Sequence, residues 1–167
     1  MTDILVTRDG ILSVGPHRFR CALGRSGISD AKREGDGATP VGCFALRRLL
    51  YRPDRLAAPD TGLGSQVIDA NDGWCDDPDH ASYNRPVRLP FDGRCERLFR
   101  DDHVYDLVVV LGHNDDPPVP NAGSAIFLHL ASPDYSPTEG CVALALPDML
   151  AVLQQAGPGD RMCVAGS

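Results

Sequence analysis

A cysteine follows a glycine at the start of a short apolar segment, and a histidine lies upstream of it. Residues 138–142 read Thr-Glu-Gly-Cys-Val, and His129 ends the apolar run 125–128. A cysteine thiol becomes a strong nucleophile, as the thiolate, when a neighbouring imidazole removes its proton or lowers its pKa. Gly140 permits a sharp backbone turn, so that N–H groups next to Cys141 can point at one carbonyl oxygen. Nucleophile, base and oxyanion donors together predict acyl transfer.

The same cysteine and histidine also have a purely structural interpretation. A lone cysteine at the start of a strand is usually a small buried apolar residue. Two alternatives to an enzyme therefore stay open: an inactive binding module and a metal-binding protein. The chain contains no Cys-x-x-Cys pair and no histidine at metal-site spacing from a cysteine. We therefore expect no metal and no cofactor.

Blocks of the sequence, in the same order along the chain, resemble the L,D-transpeptidase catalytic domain family (YkuD-type). Members of that family carry a Thr-Pro-x-Gly-x-Phe stretch, a His on one strand, and a Ser/Thr-x-Gly-Cys block that opens the next strand. The matching blocks are Gly35-Asp36-Gly37-Ala38-Thr39-Pro40-Val41-Gly42-Cys43-Phe44, Trp74-Cys75-Asp76-Asp77-Pro78 with Tyr83-Asn84, Gly112-His113-Asn114, Ala125-Ile126-Phe127-Leu128-His129, and Pro137-Thr138-Glu139-Gly140-Cys141-Val142-Ala143-Leu144.

Two positions depart from the family pattern. Glu139 stands where many members have a second histidine, and Ala143 stands where many have an arginine. The chain therefore resembles a divergent branch of the family.

The resemblance implies a mainly β, β-sandwich-like fold with one or two helices. It implies Cys141 as nucleophile and His129 as base, with the backbone N–H of Cys141 stabilising the oxyanion beside Gly140. Further candidates for substrate contact are His113 and Glu139, joined by three loop residues. Those three are Asn84, Tyr83 and Trp74. For His113 and Trp74 a structural role is an equal alternative, and Glu139 can also orient His129 or face solvent.

The resemblance also implies peptidoglycan stem peptides as substrates. Family members attack the carbonyl of the L-centre of the third residue and expel the terminal D-alanine. The acyl-enzyme then passes to water or to an amine. No signal peptide is visible in residues 1–8. We therefore expect a cytosolic L,D-carboxypeptidase that trims recycled muropeptides, with a cross-linking L,D-transpeptidase as the alternative.

Length and composition limit the other function classes. A chain of 167 residues is expected to form one domain over 1–167. Its net charge of −7 argues against nucleic acid or an anionic membrane surface as a partner. No apolar run approaches the ~20 residues of a membrane span. The six cysteines are expected to be reduced in a cytosolic protein. The sequence leaves the oligomeric state open.

Periodicity predicts the elements that position the candidate residues. Strands are predicted over 1–8, 17–23, 41–51, 107–111, 125–130, 141–146 and 161–165. One helix is predicted over 147–156, with Met149, Leu150 and Leu153 on its buried face. Two loops are expected over 24–40 and 52–103. Loops held on a rigid sheet often carry binding residues.

Overall fold

The computed structural model describes residues 3–166, which form fourteen strands and one helix. The first strand covers Asp3–Thr7, and the predicted positions Met1 and Thr2 lie outside the described residues. The elements are β1 Asp3–Thr7, β2 Ile11–Val14, β3 His17–Ala22, β4 Ile28–Ser29, β5 Thr39–Pro40, β6 Gly42–Tyr51, β7 Ser65–Val67, β8 Asp72–Cys75, β9 Pro86–Arg88, β10 Cys95–Arg97, β11 Leu107–Leu111, β12 Phe127–Leu130, β13 Val142–Leu144, α1 Leu146–Gln155 and β14 Arg161–Val164. The mainly β architecture expected from the sequence is confirmed.

The main sheet has nine strands in the order β11-β12-β13-β3-β2-β1-β14-β6-β7. The long strand β6 also pairs with β11, so eight of these strands close into a ring around one apolar core. Most neighbours are antiparallel, but β12 and β13 run parallel. The histidine strand and the cysteine strand are therefore adjacent and point the same way.

Strands β11 and β12 are buried on both faces. Val109 and Leu128 point into the ring core, whereas Val108 and Phe127 point outward into a second apolar cluster. Trp74 belongs to that outer cluster, together with other residues from the segment 52–103. Because both faces are covered, these strands have the continuous apolar runs seen in the sequence rather than an alternating pattern.

The helix begins one residue earlier than predicted and covers Leu146–Gln155. Pro147 occupies its first turn, where a missing N–H costs no hydrogen bond. Met149 and Leu153 are buried as expected, but Leu150 is 37% exposed and Val152 takes its place in the core. The 3.6-residue period explains this correction, since positions 149, 152 and 153 share one face. Within residues 3–166, no helix is long and apolar enough to cross a membrane.

The two predicted loops contain short strands. Segment 24–40 includes β4 and β5, which pair in parallel. Segment 52–103 includes β7 and a separate three-stranded sheet in the order β10-β8-β9. Residues of the segment 52–103 cover the outer face of β11 and β12, and residues of both segments line the cleft described below.

Cys43 and Cys163 form a disulfide, which corrects the expectation that all cysteines are reduced. The two residues lie directly opposite each other on the antiparallel strands β6 and β14. This register brings their side chains together on one face of the sheet. The remaining cysteines in the described part of the chain, Cys21, Cys75, Cys95 and Cys141, are free thiols.

Replacing both bonded cysteines by serine is expected to lower the free energy of unfolding by about 2–4 kcal/mol, because the bond closes a long loop in the unfolded chain. Urea denaturation measures the loss. A reductant should destabilise the wild type by a similar amount and leave the Cys43→Ser/Cys163→Ser variant unchanged. Equal urea midpoints for the wild type and the variant would contradict the assignment.

Candidate active site

The backbone turn before Cys141 requires glycine. Gly140 has φ +135°, and a Cβ built on it would lie 2.7 Å from the carbonyl oxygen of Ala38. A side chain would therefore collide with rigid backbone. The same turn is held by Thr138, whose hydroxyl accepts from the Gly140 N–H at 3.1 Å and donates to the Cys141 carbonyl at 2.6 Å.

The thiol of Cys141 lies between two backbone groups, one just before β12 and one at its first residue. Its Sγ donates to the carbonyl oxygen of Ala125 at 3.2 Å and accepts from the N–H of Phe127 at 3.3 Å. The residue is 6% exposed. The thiol therefore has a defined resting position, with its proton directed at the Ala125 carbonyl.

Asn84 fixes the backbone that holds the thiol. Its side-chain oxygen accepts from the Ala125 N–H at 3.0 Å and from the Trp74 indole N–H at 2.9 Å. Its amide nitrogen donates to the carbonyls of His113 and Asn114 at 3.0 and 2.8 Å. Asn84 is buried and does not line the cleft. The structure thus gives it a positioning contact, where sequence reasoning expected contact with substrate.

His129 has one ring nitrogen, Nε2, without a hydrogen-bond partner among residues 3–166. Its Nδ1 lies 2.8 Å from the carbonyl oxygen of Leu130. A carbonyl can only accept, so Nδ1 carries the proton and Nε2 keeps a lone pair. The ring of Tyr105 packs edge-on against the imidazole, with centroids 5.1 Å apart. Burial lowers the pKa of His129 to about 4, so the imidazole is neutral at pH 7.

Strand register places the thiol and the imidazole on the same face. His129 lies opposite Ala143 across the parallel pair, and Ala143 follows Cys141 by two residues. Side chains two apart on a strand share a face. The small Ala143 also lines this cleft with both residues.

A cleft of about 610 Å³ opens over this face. The segment 24–40 contributes Lys32 and Glu34 to its lining, and the loop 131–139 contributes further residues. Strand β10 contributes Glu96. The segment 24–40, which was expected to carry binding residues, thus lines this cleft, and its contact with a substrate stays a prediction.

The electrostatic surroundings keep the thiol protonated. Burial raises the pKa of Cys141 to about 12, and the negative charge of Glu96 adds to that effect. Donation from the Phe127 N–H and the charge of Lys32 act in the opposite direction. Because the imidazole is also neutral, the resting site is a neutral thiol beside a neutral base rather than an ion pair.

Glu96 and Tyr105 are cleft residues that sequence reasoning missed. The Tyr105 hydroxyl donates to the Glu96 carboxylate. Burial raises the pKa of both groups. Arg100 also lines the cleft and pairs with Asp102 at 2.6 Å. These residues lie in or next to a segment without clear periodicity, so only the contacts between strands made in the folded chain bring them to the cysteine.

Glu139 and His113 occupy different environments. Glu139 lines the cleft with its side chain 78% exposed and forms an ion pair with Arg25 at 2.9 Å, and within the described residues no hydrogen bond joins it to His129. His113 lies outside the cleft lining and packs edge-on against Phe44, with centroids 5.3 Å apart. Its buried Nδ1 has no hydrogen-bond partner within the described residues, and burial lowers its pKa to about 4.

Tyr83 and Trp74 are buried beneath the site. The Tyr83 hydroxyl donates to Glu34 at 2.6 Å and accepts from the Gly123 N–H at 3.0 Å. Trp74 packs edge-on against Phe127, with ring centroids 5.0 Å apart. Neither residue lines the cleft over the thiol. For Trp74, the alternative of a core anchor describes its position better than a substrate wall.

Among residues 3–166, no group of three or more His, Cys, Asp or Glu side chains is placed to hold a metal ion. The site contains the thiol of Cys141, which follows the turn at Gly140, the imidazole of His129 with an unprotonated Nε2, and a cleft lined by charged residues. These features define a mainly β protein with a candidate cysteine-dependent acyl-transfer site.

The chain belongs to the L,D-transpeptidase catalytic domain family (YkuD), whose family model matches residues 5–164. No curated protein sequence matches it. Similar solved structures include L,D-transpeptidase 3 from Mycobacterium tuberculosis in complex with a faropenem-derived adduct (15% identity, TM-score 0.45, covering 98% of this chain and 59% of that one).

Two further similar structures have comparable scores. An L,D-transpeptidase from Mycobacterium smegmatis has 14% identity and a TM-score of 0.44, covering 99% of this chain and 58% of that one. The helical cell shape determining protein Pgp2 from Campylobacter jejuni has 16% identity and a TM-score of 0.43, covering 98% of this chain and 46% of that one. This chain therefore spans between 46% and 59% of the length of these three chains.

Asn84→Ala is expected to lower the free energy of unfolding by at least about 2 kcal/mol, because it leaves the buried Ala125 N–H, the Trp74 indole N–H and two part-buried carbonyls without their partner. Alkylation of Cys141 should also become faster, since the Ala125 carbonyl is no longer fixed. Asn114→Ala is the matched control, because Asn114 also bonds three backbone groups, but it is only partly buried, and within the described residues its side chain does not bond to Ala125 or Trp74. Equal losses of stability in the two variants would contradict the central position of Asn84.

Glu96→Gln is expected to lower the pKa of Cys141, because it removes a negative charge that opposes the thiolate. Iodoacetamide labelling of Cys141, followed by peptide mass spectrometry at pH 8, should accelerate about threefold to tenfold. In the wild type the labelling rate of Cys141 should rise steadily with pH from 6 to 10, because the pKa of the thiol lies above this range. No inflection is expected near 6.5, the usual pKa of histidine.

Two controls accompany this measurement. Glu139→Gln removes an exposed carboxylate from the same cleft and should leave the Cys141 rate unchanged. Labelling of Cys21, whose pKa burial also raises to about 12, should not respond to Glu96→Gln. A rate for Cys141 that is the same in wild type and Glu96→Gln would exclude the proposed charge effect.

Proposed function

We propose that the chain is a single catalytic domain that performs cysteine-dependent acyl transfer on peptidoglycan stem peptides. The observation that carries the proposal is the arrangement of Cys141 and His129, which share one cleft and one sheet face. The imidazole keeps Nε2 free as a base, and Gly140 lets the backbone next to the thiol approach a carbonyl group. Membership of the L,D-transpeptidase catalytic domain family supports this chemistry.

The first half-reaction forms a thioester. The Cys141 side chain turns from the Ala125 carbonyl toward Nε2 of His129, which takes the thiol proton as sulfur attacks the L-centre carbonyl carbon. The bond from that carbon to the terminal D-alanine nitrogen then breaks, and the imidazolium returns its proton to the departing amine. Because both groups start neutral, this transfer occurs during attack rather than before substrate binds.

Backbone donors complete the site. The tetrahedral intermediate carries a negative oxygen, and we assign the N–H of Cys141 as its donor, made accessible by the turn at Gly140. Glu139 is our candidate for contact with a substrate ammonium, since it lines the cleft and is largely exposed. The oxyanion contact of the Cys141 N–H and the ammonium contact of Glu139 can be tested separately, because only the N–H acts on the reacting carbonyl.

We further propose water as the working acceptor, so that the thioester is hydrolysed to a tripeptide in the manner of a cytosolic L,D-carboxypeptidase of muropeptide recycling. Water then attacks the thioester carbon, the carbon–sulfur bond breaks, and the thiol regains its proton. The net charge of −7 supports a small soluble peptide over an extended anionic wall polymer as substrate.

The disulfide between Cys43 and Cys163 favours a second candidate, a cross-linking L,D-transpeptidase. Disulfides persist mainly in oxidising compartments, and the cross-linking of cell-wall peptides also takes place outside the cytosol. In that case a stem-peptide amine replaces water in the second half-reaction. The roles of Cys141 and His129 stay the same.

Mass spectrometry of a stem tetrapeptide incubated with the protein tests the proposal. The wild type should release D-alanine and tripeptide, with few cross-linked dimers even with excess acceptor peptide. Cys141→Ala should abolish turnover, and His129→Ala should slow it by at least about 100-fold. Cys21→Ser should retain most activity, as a control for loss of a different buried thiol.

Three outcomes separate the alternatives. Turnover by Cys141→Ala at a tenth of the wild-type rate would exclude the cysteine mechanism. Predominant dimers would select the transpeptidase. Tight binding of the tetrapeptide without any product from the wild type would identify an inactive binding module.

A further inference from the structure

Two free cysteines face each other in the small sheet beside the cleft. Cys75 on β8 and Cys95 on β10 are direct partners in the antiparallel register. Cys75 is fully buried, whereas Cys95 is partly exposed. Neither thiol belongs to the proposed acyl-transfer machinery, and neither lines the cleft.

Hydrogen bonding shows which kind of register pair they form. The N–H of Cys75 donates to Arg85 at 2.9 Å, and its carbonyl accepts from Asn84 at 2.9 Å, so both backbone groups point toward β9. On the β10 side, the bonded pairs are Asp76 with Arg94 and Asp72 with Leu98. Cys75 and Cys95 are therefore a non-hydrogen-bonded pair, for which Cα atoms lie about 4.5 Å apart and side chains come close.

The disulfide already present in the structure occupies the same kind of position. Just beyond the paired residues of β6 and β14, the backbone N–H of Leu46 donates to the carbonyl of Asp160 at 3.0 Å, so these two residues form a hydrogen-bonded pair. Along the antiparallel register, hydrogen-bonded and non-hydrogen-bonded pairs of residues then alternate. Counting along the register makes Cys43 and Cys163 a non-hydrogen-bonded pair as well. The fold thus shows that this backbone geometry accommodates a cross-strand disulfide.

We propose that Cys75 and Cys95 are a reversible dithiol site that reacts with low-molecular-weight disulfides and, when closed, fixes the cleft wall formed by β10. The site does not depend on the proposed nucleophilic role of Cys141. It takes a small disulfide as co-reactant, because only Cys95 is accessible for the first exchange step.

The exchange balances in two steps. The Cys95 thiolate attacks one sulfur of the small disulfide, forming a mixed disulfide and releasing one thiolate. Cys75 then attacks the Cys95 sulfur, and the second small thiolate leaves and takes up the Cys75 proton. Two protein thiols become one disulfide, and one small disulfide becomes two thiols.

The position of the pair connects its redox state to the cleft. Arg94 and Glu96 flank Cys95, Asp76 follows Cys75, and all three flanking residues line the cleft. Side chains alternate along a strand, so the two thiols point away from the face that carries Glu96. A bond between them therefore stiffens the wall without occupying the substrate space.

Oxidised glutathione is the probe for this site. After incubation, remaining thiols are alkylated in denaturant and the digested chain is analysed by mass spectrometry. The expected result is loss of two alkylation sites, with tryptic peptide 56–88 linked to peptide 95–97. Hydrogen exchange should slow at the amides of residues 94–98, and dithiothreitol should reverse both changes.

Cys95→Ser is the matched control, in which Cys75 should stay fully alkylatable, and Cys21 should stay free in both proteins. The proposal is overturned if Cys75 and Cys95 both remain alkylatable in the wild type. A stable glutathione adduct on Cys95, or a link from either residue to Cys141, would also overturn it. If the Cys75–Cys95 disulfide forms but hydrogen exchange at residues 94–98 stays unchanged, the proposal that the bond fixes the cleft wall is overturned.

Discussion

The side-chain amide of Asn84 is the contact on which the candidate site depends. It joins the indole of Trp74 to the N–H of Ala125 and also binds two carbonyls at the end of β11. Ala125 has φ +53°, a conformation that costs energy for a residue with a Cβ and persists only when its surroundings hold it. The carbonyl of Ala125 receives the Cys141 thiol. One buried amide thus connects the outer loops, the histidine strand and the candidate nucleophile.

Burial on both faces of β12 has a chemical consequence as well as a structural one. The same packing that stabilises the strand removes water from His129 and Cys141, and it moves the pKa of the base to about 4 and that of the thiol to about 12. A buried ion pair would cost free energy in the unliganded protein. Keeping both groups neutral avoids that cost, and in the proposed mechanism it delays charge separation until a carbonyl carbon can accept the sulfur electrons.

The features predicted correctly from the sequence are the ones that a local pattern of residues determines. The runs 107–111 and 125–130 predicted central strands, and Pro147 located the helix start to within one residue. The sequence did not predict Glu96, because that carboxyl reaches the cleft only through the pairing of β10 with β8. The disulfide was missed for a similar reason, since its two cysteines are 120 residues apart. Contacts between distant strands leave no local periodicity.

In the proposed mechanism, Cys141 carries the substrate acyl group as a thioester. Rapid acid quenching of the protein with a stem tetrapeptide, followed by intact-mass and peptide mass spectrometry, measures this directly. We expect a mass increase equal to the tripeptide acyl group, located on Cys141. This adduct should appear before free tripeptide accumulates, and hydroxylamine should cleave it. Release of D-alanine at the same rate with no adduct at any quench time, or with an adduct on a different residue, would contradict it.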